Sequence, residues 1–412
     1  MDVVLFLAGF LSTGIQFHTA RFGTGFETFT LARNLVDSGT FSNPFGVNSG
    51  PSAHLAPLFP FFLAMLIRIF GNGAGFAVAI SFATLAAHGL HAALLPRLSD
   101  LFFRDRRPGM WAALIATLLP VLYFFPHSEG IFCAVGLMLF CLVTDRRLSR
   151  GGSGGALFTG LFAGLLTLLN PTCLLVCTLW VAYLLWRGRV AFASRSTALI
   201  ALAYLVTLTP WTVRNYQEFH KLFFIRDNLG MELCASNNDV AQPTMLRNLD
   251  GGLHLYHPIT SPSEARLIQQ VGEWEYNRLR MKTAVEWIRS HPARFFTLTL
   301  LRFCYFWFPD SEGVTPVHGA GIACLTLSTL ISLGLMLWRK RPIAVFVTAV
   351  LAIYPALYYL VAIDPRYRTP ILWVSLLGAG YLLWSALLAV QRRPVAQSIR
   401  SGGGFPHLHL LE

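Results

Sequence analysis

Two arginines near the carboxyl end of the chain are the residues whose type and spacing point most directly to a ligand. Arg366 and Arg368 alternate around Tyr367 in a short turn, 362–368, between two apolar runs. A guanidinium is a planar fork that donates two hydrogen bonds to one phosphate and stays charged beside a membrane. The pattern predicts contacts to a phosphate group, with loop packing or a lipid headgroup as the alternative.

Further polar side chains extend this set of candidates. Arg214 stands at the end of an apolar run, where it either contacts phosphate or anchors the chain at headgroup level. Further candidate substrate contacts are Arg33 to the phosphate, His54 to a sugar hydroxyl or a metal, and Glu232 and Asn237 to the acceptor. Each has a solvated or fold-holding role as the alternative. The sequence has no P-loop, dinucleotide fingerprint or His-Glu-x-x-His zinc motif. A soluble nucleotide site is therefore unsupported.

The composition identifies the solvent in which these residues must be positioned. Hydrophobic residues make up 54% of the 412 residues and charged residues only 13%, against about 25% in soluble globular chains. The mean hydropathy is +0.55. Such a chain cannot cover itself with polar surface, so the composition predicts an all-α polytopic membrane protein whose main partner is the bilayer.

Charge and cysteine usage exclude other classes. The net charge of +12 comes from arginines in short loops between apolar runs, which is the topology signal of membrane proteins and not a nucleic-acid patch. Most of the 7 cysteines lie inside apolar runs. That distribution provides neither a disulfide framework nor metal-ligand spacing.

Apolar runs predict about ten transmembrane helices, and the basic connectors predict their orientation. We place the spans near 3–18, 74–96, 109–126, 129–144, 156–170, 172–186, 196–212, 317–338, 343–361 and 369–390. With these spans, all the basic connectors fall on one side of the membrane, which should be the cytoplasm. The runs 57–70 and 294–308 would break this pattern if either alone crossed, so we interpret both as interfacial or re-entrant helices.

This topology divides the chain into three parts. An N-terminal transmembrane module, 1–212, includes a first external loop, 19–73. A large non-cytoplasmic loop with amphipathic and interfacial helices covers 213–310, and a C-terminal module with a cytoplasmic tail covers 311–412. Within the large loop, Ser261-Pro-Ser-Glu264 is typical of a capping box that begins a helix closed by Pro292. Gly160 and Gly164 are spaced for close packing between helices.

Several segments, in the same order along the chain, carry a family resemblance. The first loop reads Phe26-Glu-Thr-Phe-Thr-Leu-Ala-Arg-Asn-Leu35, then Gly39, His54-Leu-Ala-Pro-Leu-Phe-Pro60 and Phe70-Gly71. Further segments are Pro210-Trp-Thr-Val-Arg-Asn-Tyr216, Gly230-Met-Glu-Leu233, Gly272-Glu273 with Tyr276, and Asp364-Pro-Arg-Tyr-Arg-Thr-Pro370. Together they resemble the GT-C glycosyltransferases, and more narrowly the bacterial group related to protein O-mannosyltransferases and lipid A aminoarabinose transferases.

The resemblance implies a GT-C-like bundle and transfer of a sugar from a polyprenyl-phosphate carrier, with inversion at the anomeric carbon. It also places the family's catalytic carboxylate in the first external loop. The counterpart of the usual Asp is Thr24, and Glu27 is the nearest carboxylate, one helical turn along. Glu27 would then accept a proton from the acceptor or help to hold a divalent metal, unless it only stabilises a helix N-terminus.

Glu129, in His127-Ser128-Glu129, is the second candidate for a catalytic carboxylate, with a boundary charge reaching water as the alternative. The resemblance also favours the bacterial plasma membrane over the endoplasmic reticulum. Two hypotheses of different classes remain. One is an integral-membrane glycosyltransferase that uses a polyprenyl-phosphate-linked sugar. The other, left open by the missing Asp, is an inactive relative or a protein that binds or transports the lipid carrier.

Overall fold

The computed structural model describes residues 1–17, 25–118, 129–309 and 316–401, with side chains as far as residue 391. Within these ranges the regular structure is helical throughout. The first half contains α1 Asp2–Phe17, α2 Phe26–Asp37, α3 Leu58–Phe70, α4 Ala74–Phe103, α5 Arg107–Leu118, α6 Gly130–Arg150, α7 Ser153–Leu169, α8 Cys173–Trp186 and α9 Ala193–Phe219. The predicted all-α class is confirmed.

The second half contains α10 Leu229–Ser236, α11 Met245–Asn248, α12 Gly252–Tyr256, α13 Pro262–Ser290, α14 Pro292–Trp307, α15 Pro316–Trp338, α16 Ile343–Ile353 and α17 Leu372–Ser401. Two 3₁₀ helices, Tyr354–Leu360 and Pro365–Ile371, separate α16 from α17. Helices α3 and α14 occupy the two runs that charge distribution excludes as single crossings. The division into three parts stays a prediction.

The long apolar helices identify a multi-pass membrane protein. Five described segments are long and apolar enough to cross a bilayer: Ala74–Phe103, Ala193–Phe219, Pro316–Trp338, Ile343–Leu360 and Pro365–Gln391. The expected number of about ten spans is not confirmed. Several of the remaining helices, such as the 14-residue α8, fall short of the roughly 20 residues that a straight crossing needs.

The basic connectors meet at one end of the bundle, which we call the basic end. Arg97 pairs with Asp2 at 2.6 Å, and Arg189 pairs with Asp145 at 3.1 Å. Further contacts at this end join Arg195 to Ser153, Trp384 to Asp105, Arg339 to Ser385 and Phe103 to Tyr381. The contacts therefore agree with the one-sided arrangement that the charge distribution predicts.

The largest core holds the spans together and is rich in aromatic side chains. Trp180 and Phe346 approach to 5.0 Å between ring centroids, with Phe102 against both. Helices α7 and α9 pack closely at Gly160, which has no Cβ. A Cβ at this position would collide with the carbonyl oxygen of Ile200. The predicted role of Gly160 in helix packing is thus confirmed.

Helix α13 differs from its sequence pattern in two ways. The capping box is wrong: Ser261 makes no side-chain cap, and Glu264 instead accepts hydrogen bonds from Tyr276 and Arg280 at 2.8 Å. The helix also kinks at Gly272, whose φ of 78° is open to glycine but strained for other residues. The kink turns Glu273 and Tyr276 inward, where both are buried.

A buried arginine joins α14 to the external segments. Arg302 is 0% exposed, and its guanidinium donates to Asn237 Oδ1 and to the Leu360 carbonyl oxygen at 3.0 Å each. It also donates to the carbonyl oxygen of Ser236. Asn237 Nδ2 donates to the same Leu360 oxygen at 2.9 Å. This network ties α10 and α14 to the start of the turn before Pro365.

Arg302→Met should lower the thermal midpoint of the purified protein in detergent. It keeps the apolar stem but leaves buried oxygens without their donor, and each such loss costs ~1–3 kcal/mol. The matched control is Arg289→Met on exposed surface of α13, which should leave the midpoint unchanged. Equal midpoints for the two variants would contradict the assigned role of Arg302.

Candidate active site

The turn between α2 and α3 is fastened by three segments that lie far away in sequence. Arg214 donates to the carbonyl oxygens of Ser52 (2.7 Å) and Phe41 (2.9 Å). Arg226 Nε donates to the carbonyl oxygen of His54 at 2.9 Å. The Ala53 N–H donates to Glu273 Oε1 at 2.5 Å, and the Ala53 carbonyl oxygen accepts from the Asp227 N–H at 2.9 Å.

These anchors fix the position of His54 and of the polar groups around it. The two donors of Arg214 hold the loop backbone, so the geometry gives Arg214 a positioning role, and its contact to phosphate stays a prediction. Arg226, Asp227 and Glu273 were not identified as anchors from the sequence. Glu273 alone had a local signal, because it belongs to the Gly272-Glu273 motif.

Asp227 and Glu273 form a pair of protonatable carboxyl groups beside the loop. Burial raises the pKa of Asp227 to about 8, and the neighbouring Glu273 carboxylate contributes. Burial also raises the pKa of Glu273 to about 7, against the hydrogen bond donated by the Ala53 N–H. In the described residues, Asp227 Oδ2 and Glu273 Oε2 have no hydrogen-bond partner. Glu273 therefore holds the loop through a carboxyl group that retains its proton near neutral pH, whereas Asp227 holds it through its backbone N–H.

Stability should fall as pH rises from 6.5 to 8, because the folded protein holds protons that the unfolded chain releases near pH ~4. The two protonated carboxyl groups stabilise the fold fully below the ordinary carboxyl pKa of ~4. This stabilisation is lost as the pH rises through their folded pKa values of about 7 and about 8. His54 acts in the opposite sense, but only below its ordinary pKa of ~6.5. Asp227→Asn should flatten the fall in thermal midpoint between these two pH values.

The control is Asp250→Asn, the same change at an exposed site of the same external segment. It should retain the wild-type slope of thermal midpoint against pH. If Asp227→Asn and Asp250→Asn showed the same slope, the protonated pair would not exist.

Glu27 lies in the first turn of α2 and is held by a histidine from the large loop. His257 Nε2 is 3.4 Å from Glu27 Oε1. His257 Nδ1 accepts a hydrogen bond from the Ile259 N–H at 3.2 Å, so Nε2, the nitrogen that faces Glu27, carries a ring proton. Nothing in the sequence around His257 predicts this pairing.

The charge on Glu27 is set by these neighbours. Burial raises its pKa, but the interaction with the His257 ring outweighs this effect and lowers the pKa to about 2. The Glu27 side chain keeps 25% of its surface exposed. Glu27 is therefore an ionised carboxylate with a fixed hydrogen-bond donor on one side and access from solvent on another.

His54 completes this first-loop cluster, which consists of Glu27, His54 and His257 with Phe45 between the two rings. The Phe45 ring lies 4.9 Å from that of His54 and 5.7 Å from that of His257. Burial lowers the pKa of His54 to about 3, with Arg226 and His257 adding to the effect against Glu27. His54 is thus neutral near pH 7 and is 3% exposed, so its predicted contact to a sugar hydroxyl stays a prediction that its burial does not favour.

The turn with the alternating arginines forms a second cluster. Arg366 Nε is 3.3 Å from Asp364 Oδ2, and the Arg366 side chain is 38% exposed. Tyr367 stacks on Tyr358 at 4.4 Å, with 17° between the ring planes. Glu129 is close enough to Arg366 for an electrostatic interaction. The turn cluster therefore combines one accessible guanidinium, a rigid aromatic stack and a carboxylate.

Glu232 lies between the first-loop cluster and the turn cluster. It accepts a hydrogen bond from Asn228 at 3.3 Å and interacts electrostatically with Tyr367. Asn228 directly follows Asp227, which bonds to Ala53 in the first loop. The start of α10 thus lies between the first-loop cluster and the turn cluster, at the end of the bundle opposite the basic end.

Three predicted contact residues lie apart from this convergence. Arg33 is exposed and pairs with Asp37 at 3.8 Å on the outer side of α2. Asn237 is buried in the Arg302 network. Arg368 is 5% exposed and donates to Thr326 at 2.8 Å, beside a cavity of about 10 Å³ that is too small for a phosphate group. The ligand roles of Arg33, Asn237 and Arg368 stay predictions that the geometry does not favour.

Part of the sequence prediction falls outside the described residues. Thr24, the counterpart of the usual Asp, lies there, and so do His127 and Ser128. Within the described ranges, no three His, Cys, Asp or Glu side chains are arranged to hold a metal ion. A divalent metal at Glu27 stays a prediction.

Two solved structures share the arrangement of helices over nearly the whole chain. The archaeal oligosaccharyltransferase AglB from Archaeoglobus fulgidus, in complex with an inhibitory peptide and a dolichol-phosphate, has a TM-score of 0.55 at 13% identity and covers 99% of this chain. An Archaeoglobus fulgidus oligosaccharyltransferase in complex with Zn and sulfate has a TM-score of 0.55 at 15% identity and covers 97%. This chain has the GT-C fold.

The chain spans about half the length of those two proteins: the match covers 52% of the first and 51% of the second. ArnT from Cupriavidus metallidurans bound to undecaprenyl phosphate has a TM-score of 0.39 at 14% identity, covering 92% of this chain and 77% of that chain. No family model and no curated protein matches the sequence. The GT-C fold is shown, and the activity must be argued from the site.

Proposed function

We propose that the protein is an integral-membrane glycosyltransferase that takes a sugar from a polyprenyl-phosphate carrier and transfers it to an acceptor on the non-cytoplasmic side. The observation that carries the proposal is Glu27, 3.4 Å from His257 and 25% exposed, at the same end of the bundle as Arg366, which is 38% exposed. A carboxylate that accepts a proton and a guanidinium that binds phosphate are the two groups that attack at a sugar phosphate can use.

Arg366 would bind the carrier phosphate in this reaction. Asp364 holds one edge of its guanidinium, and the Tyr367–Tyr358 stack fixes the turn that carries it. Phosphate is already a good leaving group, so positioning and charge stabilisation dominate the catalysis. The carrier's tail would lie among the spans, and Glu129, which interacts by charge with Arg366, would be the second candidate for the proton acceptor.

Glu27 would receive the proton of the acceptor. With a pKa of about 2, it is too weak a base to ionise a hydroxyl before attack. The acceptor oxygen becomes acidic as its bond to the anomeric carbon forms, and the proton can then pass to Glu27 while the carbon–phosphate oxygen bond breaks. His257 would position Glu27.

The solved neighbours support the kind of donor without identifying the acceptor. One was determined with dolichol-phosphate and the other with sulfate, and both are oligosaccharyltransferases. The proposed compartment is the bacterial plasma membrane, with the first loop and the 213–310 segment on its outer side.

The experiment follows release of polyprenyl phosphate from a panel of polyprenyl-phosphate sugars by the purified protein in detergent. Turnover with at least one donor supports the proposal. Saturable carrier binding with no turnover for any donor, under conditions that keep the protein folded, would favour an inactive relative or a carrier-binding protein. If the protein showed neither binding nor turnover, a polyprenyl-phosphate carrier would not be its substrate.

A further inference from the structure

A groove of about 490 Å³ lies at the basic end, between α4, α6 and the start of α7. Four arginines line it: Arg97, Arg146, Arg147 and Arg150. No acidic side chain lines the groove in the part of the chain that the structure describes. Its volume falls within the ~300–1,000 Å³ typical of ligand sites.

Two of these arginines are already engaged, and two are not. Arg97 pairs with Asp2 at 2.6 Å, and the Arg147 guanidinium lies 4.3 Å from the centre of the Phe158 ring. Arg146 and Arg150 are exposed and make no side-chain hydrogen bond within the described ranges. Asp145 interacts with Arg146 through its charge but forms its ion pair with Arg189. The groove therefore carries more positive charge than the neighbouring carboxylates neutralise.

The remaining lining explains which anion fits. Leu94, Leu139, Leu142 and Val143 form its apolar part. They lie about one helical turn or more before the arginines along α4 and α6, so they are deeper in the bundle. The groove is thus apolar towards the membrane interior and basic towards water. A free phosphate would leave the apolar part unused, whereas a phospholipid would place an acyl chain there and its headgroup at the arginines.

The groove is separate from the candidate active site. Phe76, near the start of α4, contacts Phe29 of α2 at 5.5 Å, whereas Arg97 lies near the end of the same helix. At 1.5 Å per residue this separation is ~30 Å, about the thickness of the hydrocarbon core. A ligand in the groove therefore belongs to the opposite leaflet from the carrier phosphate at Arg366.

We propose that this groove binds the headgroup of an anionic phospholipid from the cytoplasmic leaflet. Arg146 and Arg150 contact its phosphate, and its chain packs on the leucines of α4 and α6. The lipid would join the ends of α4 and α6 to the start of α7, beside Gly151 and Gly155. The proposal does not depend on the glycosyltransferase activity, because the groove lies across the membrane from Glu27.

Binding of phosphatidylglycerol and phosphatidylcholine with the same acyl chains, measured on the delipidated protein by native mass spectrometry, tests this assignment. We expect wild type to prefer phosphatidylglycerol. The double variant Arg146→Gln/Arg150→Gln should bind it ~30-fold more weakly, since each surface cation contributes about a fivefold factor. The control Arg106→Gln/Arg187→Gln removes the same charge from the same end, outside the groove, and should bind within about twofold of wild type.

Thermal midpoints measured without lipid check that both double variants are folded. Both should match wild type, because all four arginines are exposed. Equal affinities of the groove and control variants for phosphatidylglycerol would overturn the proposal. So would equal binding of the two lipids by wild type. Displacement of phosphatidylglycerol by millimolar inorganic phosphate would also overturn it, because the site would then recognise a free anion.

Discussion

Glu27→Gln is expected to reduce release of polyprenyl phosphate by ~10²–10⁴-fold, the usual contribution of a positioned proton acceptor. Glutamine keeps the size of the side chain and can still accept the hydrogen bond from His257, but it cannot take a proton. The loss should therefore fall on kcat, with little change in KM for the donor. Initial rates at saturating donor and acceptor would measure it.

The matched control for Glu27→Gln is Asp37→Asn. Asp37 is on the same helix, is 62% exposed and pairs only loosely with Arg33 at 3.8 Å. It should retain wild-type turnover. Full activity in Glu27→Gln would transfer the catalytic role to another carboxylate, of which Glu129 beside Arg366 is the first candidate.

Arg366→Ala is expected to raise KM for the lipid-linked donor by ~10–100-fold, because hydrogen bonds to a charged group contribute about 1.5–3 kcal/mol each. Arg366→Lys should recover part of this loss, since it restores the charge but not the planar fork. Donor titrations with each variant provide the measurement. A purely structural role for Arg366 would lower the thermal midpoint without changing KM.

Arg278→Ala is the control for Arg366→Ala. Arg278 is exposed on α13, where it pairs with Glu275 at 2.5 Å, and its loss should leave KM unchanged. If Arg366→Ala bound the donor as tightly as Arg278→Ala, the phosphate would have to lie elsewhere, and the proposed site would be wrong at its most accessible cation.

Much of the fold was predictable because it depends on signals that act locally or through average charge. Hydropathy places the helices, and the positive-inside rule predicts that Arg97, Arg189 and Arg339 share one end. The number of crossings was not predictable in the same way. Short apolar helices such as α8 and α3 satisfy a hydropathy criterion, but their length alone does not show whether they span.

The candidate site was predictable only in part, because its geometry depends on distant segments. Glu27 and Arg366 were identified from the resemblance and from arginine chemistry. The pairing of Glu27 with His257 joins the first loop to the end of α12, and no local spacing encodes it. The inward turn of Glu273 depends on the positive φ of Gly272, which a continuous helical periodicity conceals.

The sequence also does not predict which of two neighbouring arginines is buried. Arg368 and Arg366 are equivalent in sequence pattern, yet Arg368 is 5% exposed and hydrogen-bonded to Thr326, whereas Arg366 reaches solvent. In a 3₁₀ turn, residues two apart point in different directions. Composition and spacing therefore predict an anion site at this turn but not which guanidinium faces it.

The most direct measurement is a structure of the Glu27→Gln protein with a bound polyprenyl-phosphate sugar in a lipid nanodisc. The account predicts phosphate density within hydrogen-bonding distance of the Arg366 guanidinium, and the anomeric carbon of the sugar facing residue 27 beneath the first loop. Phosphate density at any other position, including the basic groove between α4 and α6, would contradict the proposed active site.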